Sequence, residues 1–205
     1  MYSNCVKAPT RLDLAGGTLD IWPIHHLLKK KATINIAIDL YAQTTLETTD
    51  SDQLILISED QKTTIKGSFS EVTKETSELP LLSLLVEALW DPNLPGFCLT
   101  TKAKSPKGAG IGGSSSLGIT IAASLWQARS KLTNSPLYTE EELVQTVRDV
   151  EAKLIHSPTG LQDYWAAVRG GLNLIWYPFG SPRVETLPVS FQTPLQERLI
   201  VAYSG

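Results

Sequence analysis

Apolar and polar positions alternate over residues 33–40, TINIAIDL, with Ile34, Ile36, Ile38 and Leu40 on one side and Asn35, Ala37 and Asp39 on the other. A period of two marks a half-buried strand, and the pattern carries it on to about residue 48. Residues 53–58 read as a second strand and 63–66 as a weaker one. Residues 97–104, 172–177, 183–189 and 198–203 read as further strands. The leucine-rich stretch 77–90 predicts a helix that ends before Pro92. Small and apolar residues over 114–131 predict a buried helix. Thr139 and Glu142 form a capping-box pair that opens a helix to about residue 155, and Thr159 and Gln162 repeat the box before a short helix to about residue 168. Strands and helices do not alternate regularly, so the pattern predicts an α+β fold rather than a doubly wound parallel sheet.

Composition narrows this further. Of 205 residues, 42% are hydrophobic and 19% charged, and the mean hydropathy is −0.04, values of a folding, soluble domain. A net charge of −3 argues against a nucleic-acid binder that works by bulk charge. The longest near-apolar stretch, 118–128, is broken by Thr120, Ser124 and Gln127 and is too short to span a bilayer. The N-terminus has no signal-peptide pattern. Cys5 and Cys98 make neither a disulfide framework nor a metal pattern, and three histidines do not suggest a multi-histidine metal site. These features predict a cytoplasmic protein. The apolar run 199–203 followed by Ser204 and Gly205 reads as a strand entering a turn, which predicts further protein beyond Gly205.

The strongest chemical signal is PKGAGIGGSSSLG, residues 106–118, between a predicted strand and a predicted helix. Backbone N–H groups at a helix N-terminus, made approachable by glycines, form an anion site. The serines that follow place hydroxyls in the first turn, where they can cap, bond a phosphate or ligate magnesium. Residues 92–139 hold no Asp or Glu but carry Lys102, Lys104, Lys107, Arg129 and Lys131, a locally positive field. Gly108, Gly110 and Gly113 also satisfy the dinucleotide fingerprint, but the acidic residue that should follow about twenty positions on is absent. Gly108 and Gly113 fit half of a Walker A loop, whose Lys position holds Ser114.

On a helical wheel of residues 139–155, Leu143, Val144, Val147, Val150, Leu154 and Ile155 fill an arc of roughly 140°, and Glu151 falls inside it. A carboxylate on a buried face needs a partner, either a metal ion or a cation such as Arg148. Asp163 lies in the first turn of a predicted helix, and Asp20 follows a glycine turn, a place where Asp often caps. Trp165, Trp176 and Tyr177 read as core aromatics, and His25 and His26 as interior or surface helix residues.

The loop resembles the phosphate-binding loop of the GHMP kinases. APTRLDLAGGTLDIW, residues 8–22, is similar to that family's N-terminal substrate motif, with Pro9, Arg11 and Asp20 in place. GLQDYWAAVRGGLN, residues 160–173, resembles the segment of the catalytic aspartate, in the pattern of kinases of heptose phosphate, fucose or galactose. The resemblance implies that residues 1–205 form the family's N-terminal domain, a mixed sheet with helices, and that a C-terminal ferredoxin-like domain follows. It implies an ATP- and Mg2+-dependent kinase of a sugar or sugar-phosphate hydroxyl, with no nucleic-acid or membrane partner and a homodimer as one admissible assembly. Asp163 and Arg11 would be catalytic. Lys107, Gly108, Ala109, Gly110, Ile111, Gly112, Gly113, Ser114 and Ser115 would hold ATP. Asp20, Gly17 and Gly171 would contact substrate. Ser114 or Ser115, together with Glu151 twelve residues before Asp163, would hold magnesium. A glycine at 113 replaces the loop's usual first serine. The alternatives are a mevalonate- or phosphomevalonate-type kinase, against which Arg11 and Gln162-Asp163 count, and a non-catalytic nucleotide- or sugar-binding fragment.

Overall fold

The computed structural model describes residues 1–29, 31–106 and 108–202; Lys107 and Tyr203, which carried sequence expectations, lie outside it. In chain order the elements are β1 (Ser3–Ala15), α1 (Ile24–Leu27), β2 (Ala32–Thr48), β3 (Leu54–Ser58), β4 (Thr63–Gly67), α2 (Phe69–Val72), α3 (Pro80–Leu89), β5 (Phe97–Ala103), α4 (Gly113–Thr133), α5 (Glu140–Ile155), α6 (Gln162–Arg169), β6 (Leu172–Trp176), β7 (Arg183–Leu187) and α7 (Val189–Gln196). The strands form one sheet in the order β4-β3-β5-β2-β6-β7, with β1 paired to β2. Only β3 and β5 run parallel among these pairs. The mixed α+β architecture agrees with the sequence reading. Among the described residues no helix is long and apolar enough to cross a membrane.

The long strand β2 organises the molecule. It pairs with β1 along its length, with β5 over residues 42–48 and with β6 over residues 32–36. Its register against β1 jumps from Pro9↔Tyr41 to Thr10↔Ile38, so the two halves of the strand present opposite parities. Beyond the jump Ala42, Thr44, Leu46 and Thr48 are buried; before it Thr33 and Asn35 are buried, while Ile34 and Ile38 are only half-buried. The alternation alone assigns Asn35 to the polar side, and the irregularity reverses that. The core lies between the sheet and the helices. Leu46, Leu56, Phe97 and Leu99 meet Leu82, Leu85 and Val86 of α3, Ile121 and Leu125 of α4, and Val147 of α5. Helix α4 is buried along most of its length, as its small residues demand, and it packs on β1, β2, α3, α5 and α6. Gly118 makes the α4–α5 approach possible, since a Cβ there would lie 2.6 Å from Val147 Cγ1.

Several expectations are corrected. The capping box at Thr139 and Glu142 forms as read, but the one at Thr159 and Gln162 does not: Leu161 occupies the N-cap of α6 and no local side chain caps it. Residues 198–202 are turn and coil rather than strand, preceded by α7. Among the described residues this apolar run joins no strand of the sheet, and Ile200 stays 93% exposed. Trp176 is 41% exposed and therefore not a core residue, unlike Trp165 and Tyr177.

Candidate active site

The glycine-rich segment crosses from β5 to α4 with Gly108, Gly110 and Gly112 at φ 79°, 69° and 72°. Left-handed backbone favours glycine, and Cβ atoms at Gly108 and Gly110 would meet nothing within 4 Å, so the loop is open on that side. Gly112 caps α4, and its missing Cβ would sit 3.2 Å from the Asp163 carboxyl. At Gly113 a Cβ would lie 2.3 Å from Ser105 Oγ. The first N–H groups of α4 have no intrahelical partners and face this loop.

Arg11 ties the loop to β1. Its backbone N–H donates to Ile111 O at 3.0 Å, its Nη1 to Gly110 O at 2.9 Å, and its Nε to Asp163 Oδ1 at 2.7 Å. The Arg11–Asp163 ion pair is partly open, with side chains 12% and 26% exposed. Burial pushes the Asp163 carboxyl above its ordinary value. Arg11 pulls it back, and the negative charges of Asp20 and Glu151 add to the rise.

Ser115 donates to Glu151 Oε2 at 3.0 Å, and the Tyr164 hydroxyl donates to the same oxygen at 2.8 Å. Burial and the Glu151 charge push the Tyr164 hydroxyl far up, so it stays a donor. Glu151 is only 8% exposed, yet no salt bridge reaches it among the described residues; Arg148 pairs with Asp149 instead. A buried carboxylate served only by hydroxyls suits a hard cation. Ser114 is exposed at the mouth of the same cleft. That cleft, about 630 Å³, holds the loop, Ser114, Ser115, Glu151 and Asp163, with Leu79, Pro80 and Leu82 as an apolar wall. Of the loop's basic neighbours, Lys102 is engaged by Glu59 at 3.2 Å.

Asp20 is 3% exposed. Its Oδ2 accepts from the backbone N–H of Leu161 at 2.6 Å and of Gln162 at 2.9 Å, so it caps α6 from far away in the chain. Gly160 has no side chain because a Cβ would lie 2.1 Å from that oxygen. Asn35 Nδ2 donates to Gln162 O at 3.0 Å, and Asn173 Nδ2 donates to Asn35 Oδ1 at 3.2 Å. Gln162, the residue before Asp163, is thus held at its N–H by Asp20 and at its carbonyl by Asn35. Sequence reasoning missed Asn35, Asn173 and Tyr164. The one signal for Asn35 is a side-chain amide in a strand beside the family-like segment.

The structure brings together Arg11, Gly108, Ala109, Gly110, Ile111, Gly112, Gly113, Ser114, Ser115, Glu151 and Asp163. Asp20 opens instead onto an adjoining cavity of about 530 Å³ with Trp22, His25 and Trp165. Gly17 accommodates Asp13, whose Oδ2 would lie 1.8 Å from a Cβ there. Gly171 lines a third cavity with Ile36 and Gln192.

Comparison with known proteins agrees with this geometry. Residues 78–171 match the model of the GHMP kinases N terminal domain. The chain is 27% identical over 199 residues to the D-glycero-alpha-D-manno-heptose 7-phosphate kinase of Campylobacter jejuni, covering 94% of this chain and 56% of the relative. The crystal structure of a D-glycero-D-manno-heptose 1-phosphate kinase from Bacteroides thetaiotaomicron superposes with a TM-score of 0.76 at 28% identity, over 91% of this chain and 60% of that one. The galactokinase of Lactococcus lactis, solved with galactose, shares the fold with a TM-score of 0.71 at 19% identity, over 91% of this chain and 47% of that one. The chain spans less than two thirds of each of these relatives. Over residues 78–171 the chain thus resembles the N-terminal domain of the GHMP kinases, and the mixed sheet and the glycine loop agree with that likeness.

Proposed function

We propose that residues 1–205 act as the nucleotide- and substrate-binding domain of an ATP- and Mg2+-dependent cytoplasmic kinase that phosphorylates a hydroxyl of a sugar or sugar phosphate. The observation that carries this reading is the Arg11–Asp163 pair seated directly on the glycine loop, in one cleft with the Ser115–Glu151 pair. Two relatives, at 27% and 28% identity, are named as heptose-phosphate kinases, which favours a sugar phosphate over an isoprenoid acceptor.

Phosphoryl transfer needs positioning and charge neutralisation more than covalent chemistry. The loop N–H groups and the start of α4 hold the nucleotide phosphates. Ser115 and Glu151 would hold a magnesium ion, which would supply charge to neutralise the phosphates; Ser114 is the second hydroxyl in reach. One protein carboxylate beside hydroxyls would fit magnesium, which commonly binds proteins through only one or two carboxylates. Arg11 sits between loop and carboxylate, where it offsets charge on the transferred group. Asp163 orients the acceptor hydroxyl and takes its proton, a role that its raised proton affinity favours. Asp20 fixes the α6 start and presents its remaining carboxylate surface to the acceptor.

Titration calorimetry tests the nucleotide part on this chain. ATP should bind more tightly with magnesium present, and Glu151→Gln should remove most of that gain. ATP binding that ignores both magnesium and Glu151 would overturn the assignment.

A further inference from the structure

On the far side of the His25–His26 pair lies a cavity that the phosphoryl-transfer reading does not use. It measures about 760 Å³ and is bordered by His26, Lys29, Lys31, Trp176, Phe179 and Arg183. No Asp or Glu lines it among the described residues, although the chain as a whole carries a net charge of −3. Lys31 is the decisive group. Its carbonyl accepts from the backbone N–H of Tyr177 at 3.2 Å, which pins it between the starts of β2 and the end of β6. Its side chain is buried to 8% exposure, and its Nζ has no hydrogen-bond partner among the described residues. The ammonium lies 4.9 Å from the centroid of Phe179, on whose ring His26 stacks at 5.7 Å.

A buried ammonium with only an aromatic face for company lacks a counter-ion. The aromatic contact offsets part of the desolvation, and an anion would supply the rest. The space is too large for a bare ion. Its aromatic walls, Trp176 at 41% and Phe179 at 85% exposure, suit the C–H face of a sugar ring.

We propose that this cavity binds a phosphorylated small molecule, a sugar phosphate whose dianion takes Lys31 as its buried partner with Lys29 and Arg183 at the rim. The inference stands apart from phosphoryl transfer; only the source of the ester draws on the kinase reading. The ester is either the acceptor itself, extending past His25 from the Asp20 cavity, or a separate molecule.

The imidazole resonance of His26, one of three histidines, is a local reporter for binding to this chain without ATP. Inorganic phosphate and a hexose 6-phosphate should shift it, and the unphosphorylated hexose should not. Lys31→Met, which keeps the buried stem, should weaken both phosphates at least about tenfold, the scale of a charge-assisted contact, with an unchanged or higher melting temperature. Should that variant not fold, Arg183→Gln at the rim should weaken them several-fold. Ser115→Ala in the glycine-loop cleft should leave the shift intact. Asp20→Asn separates the sources. Weakened hexose phosphate with unchanged inorganic phosphate marks a spanning acceptor, and no change in either marks a separate ligand. Phosphate affinity at His26 that is indifferent to both Lys31 and Arg183, or no phosphate-dependent shift at all, overturns the site.

Discussion

Asp163 and Glu151 are two carboxylates in one cleft with different partners, and the difference sorts their chemistry. Asp163 faces a guanidinium but is raised by burial. A folded-state value above the unfolded one means that the ionised group costs stability at neutral pH, and that this cost recedes as pH falls through the raised value. Asp163→Asn should therefore melt at or above the wild type at pH 7, with the gap closing below about pH 4. In a kinase assay the same change should cut kcat by roughly 10²–10⁴ and leave KM nearly unmoved. An inactive variant that keeps its melting temperature separates chemistry from scaffolding; near wild-type kcat would remove Asp163 from the mechanism. Glu151 relies on hydroxyl donors. Tyr164→Phe deletes one of them and should cost about 1–3 kcal/mol in denaturant unfolding. Magnesium should recover part of that loss by supplying the missing counter-charge.

Helices α5 and α6 contrast in how their first turns are satisfied. Thr139 and Glu142 close α5 within four residues, with Glu142 accepting from Thr139 N at 2.7 Å, and Thr139→Ala should cost about 1 kcal/mol. Helix α6 borrows Asp20 from a loop next to β1. Asp20→Ala should cost more, about 1–3 kcal/mol, because two buried N–H groups lose their acceptor. Since those groups precede Asp163, kcat should fall along with acceptor affinity, whereas Asp20→Asn, which keeps an oxygen, should retain most stability. Chemical unfolding of the two variants side by side checks this. Equal losses at Thr139→Ala and Asp20→Ala would show that the remote cap adds nothing beyond a local one.

At the scale of the whole molecule the site depends on how closely helices α4 and α5 approach. Ser115 lies on α4 and Glu151 on α5, and Gly118 sits one turn from Ser115 against Val147. Gly118→Val should wedge the helices apart at a cost of about 1–3 kcal/mol. It should also weaken the magnesium dependence of ATP binding, although it touches no ligand. Unaltered metal dependence in the folded variant would show that the Ser115–Glu151 spacing is not set there.

Much of this was legible because local rules act over short distances. The period-two run in β2, the leucine-rich α3, the small-residue α4 and the box at Thr139 each declare themselves within a few residues, and so does the glycine loop, whose three left-handed φ angles are written as glycines. Glu151 was visible as a carboxylate on an apolar helical arc. Tertiary structure decided the rest. The register jump opposite Pro9 and Thr10 turned Asn35 inward, which no alternation along β2 alone can show. The capping match at Thr159 went unused because Asp20, remote in sequence, reaches the α6 N–H groups first. Likewise only packing could show that Glu151 is met by Tyr164 and Ser115 rather than by Arg148, and that Lys31 is buried against Phe179. In each case the partner lies far along the chain, and the physical contest is over which group fills a buried hydrogen bond or faces a buried charge. A sequence states what each residue can offer, and the fold determines which offer is taken up.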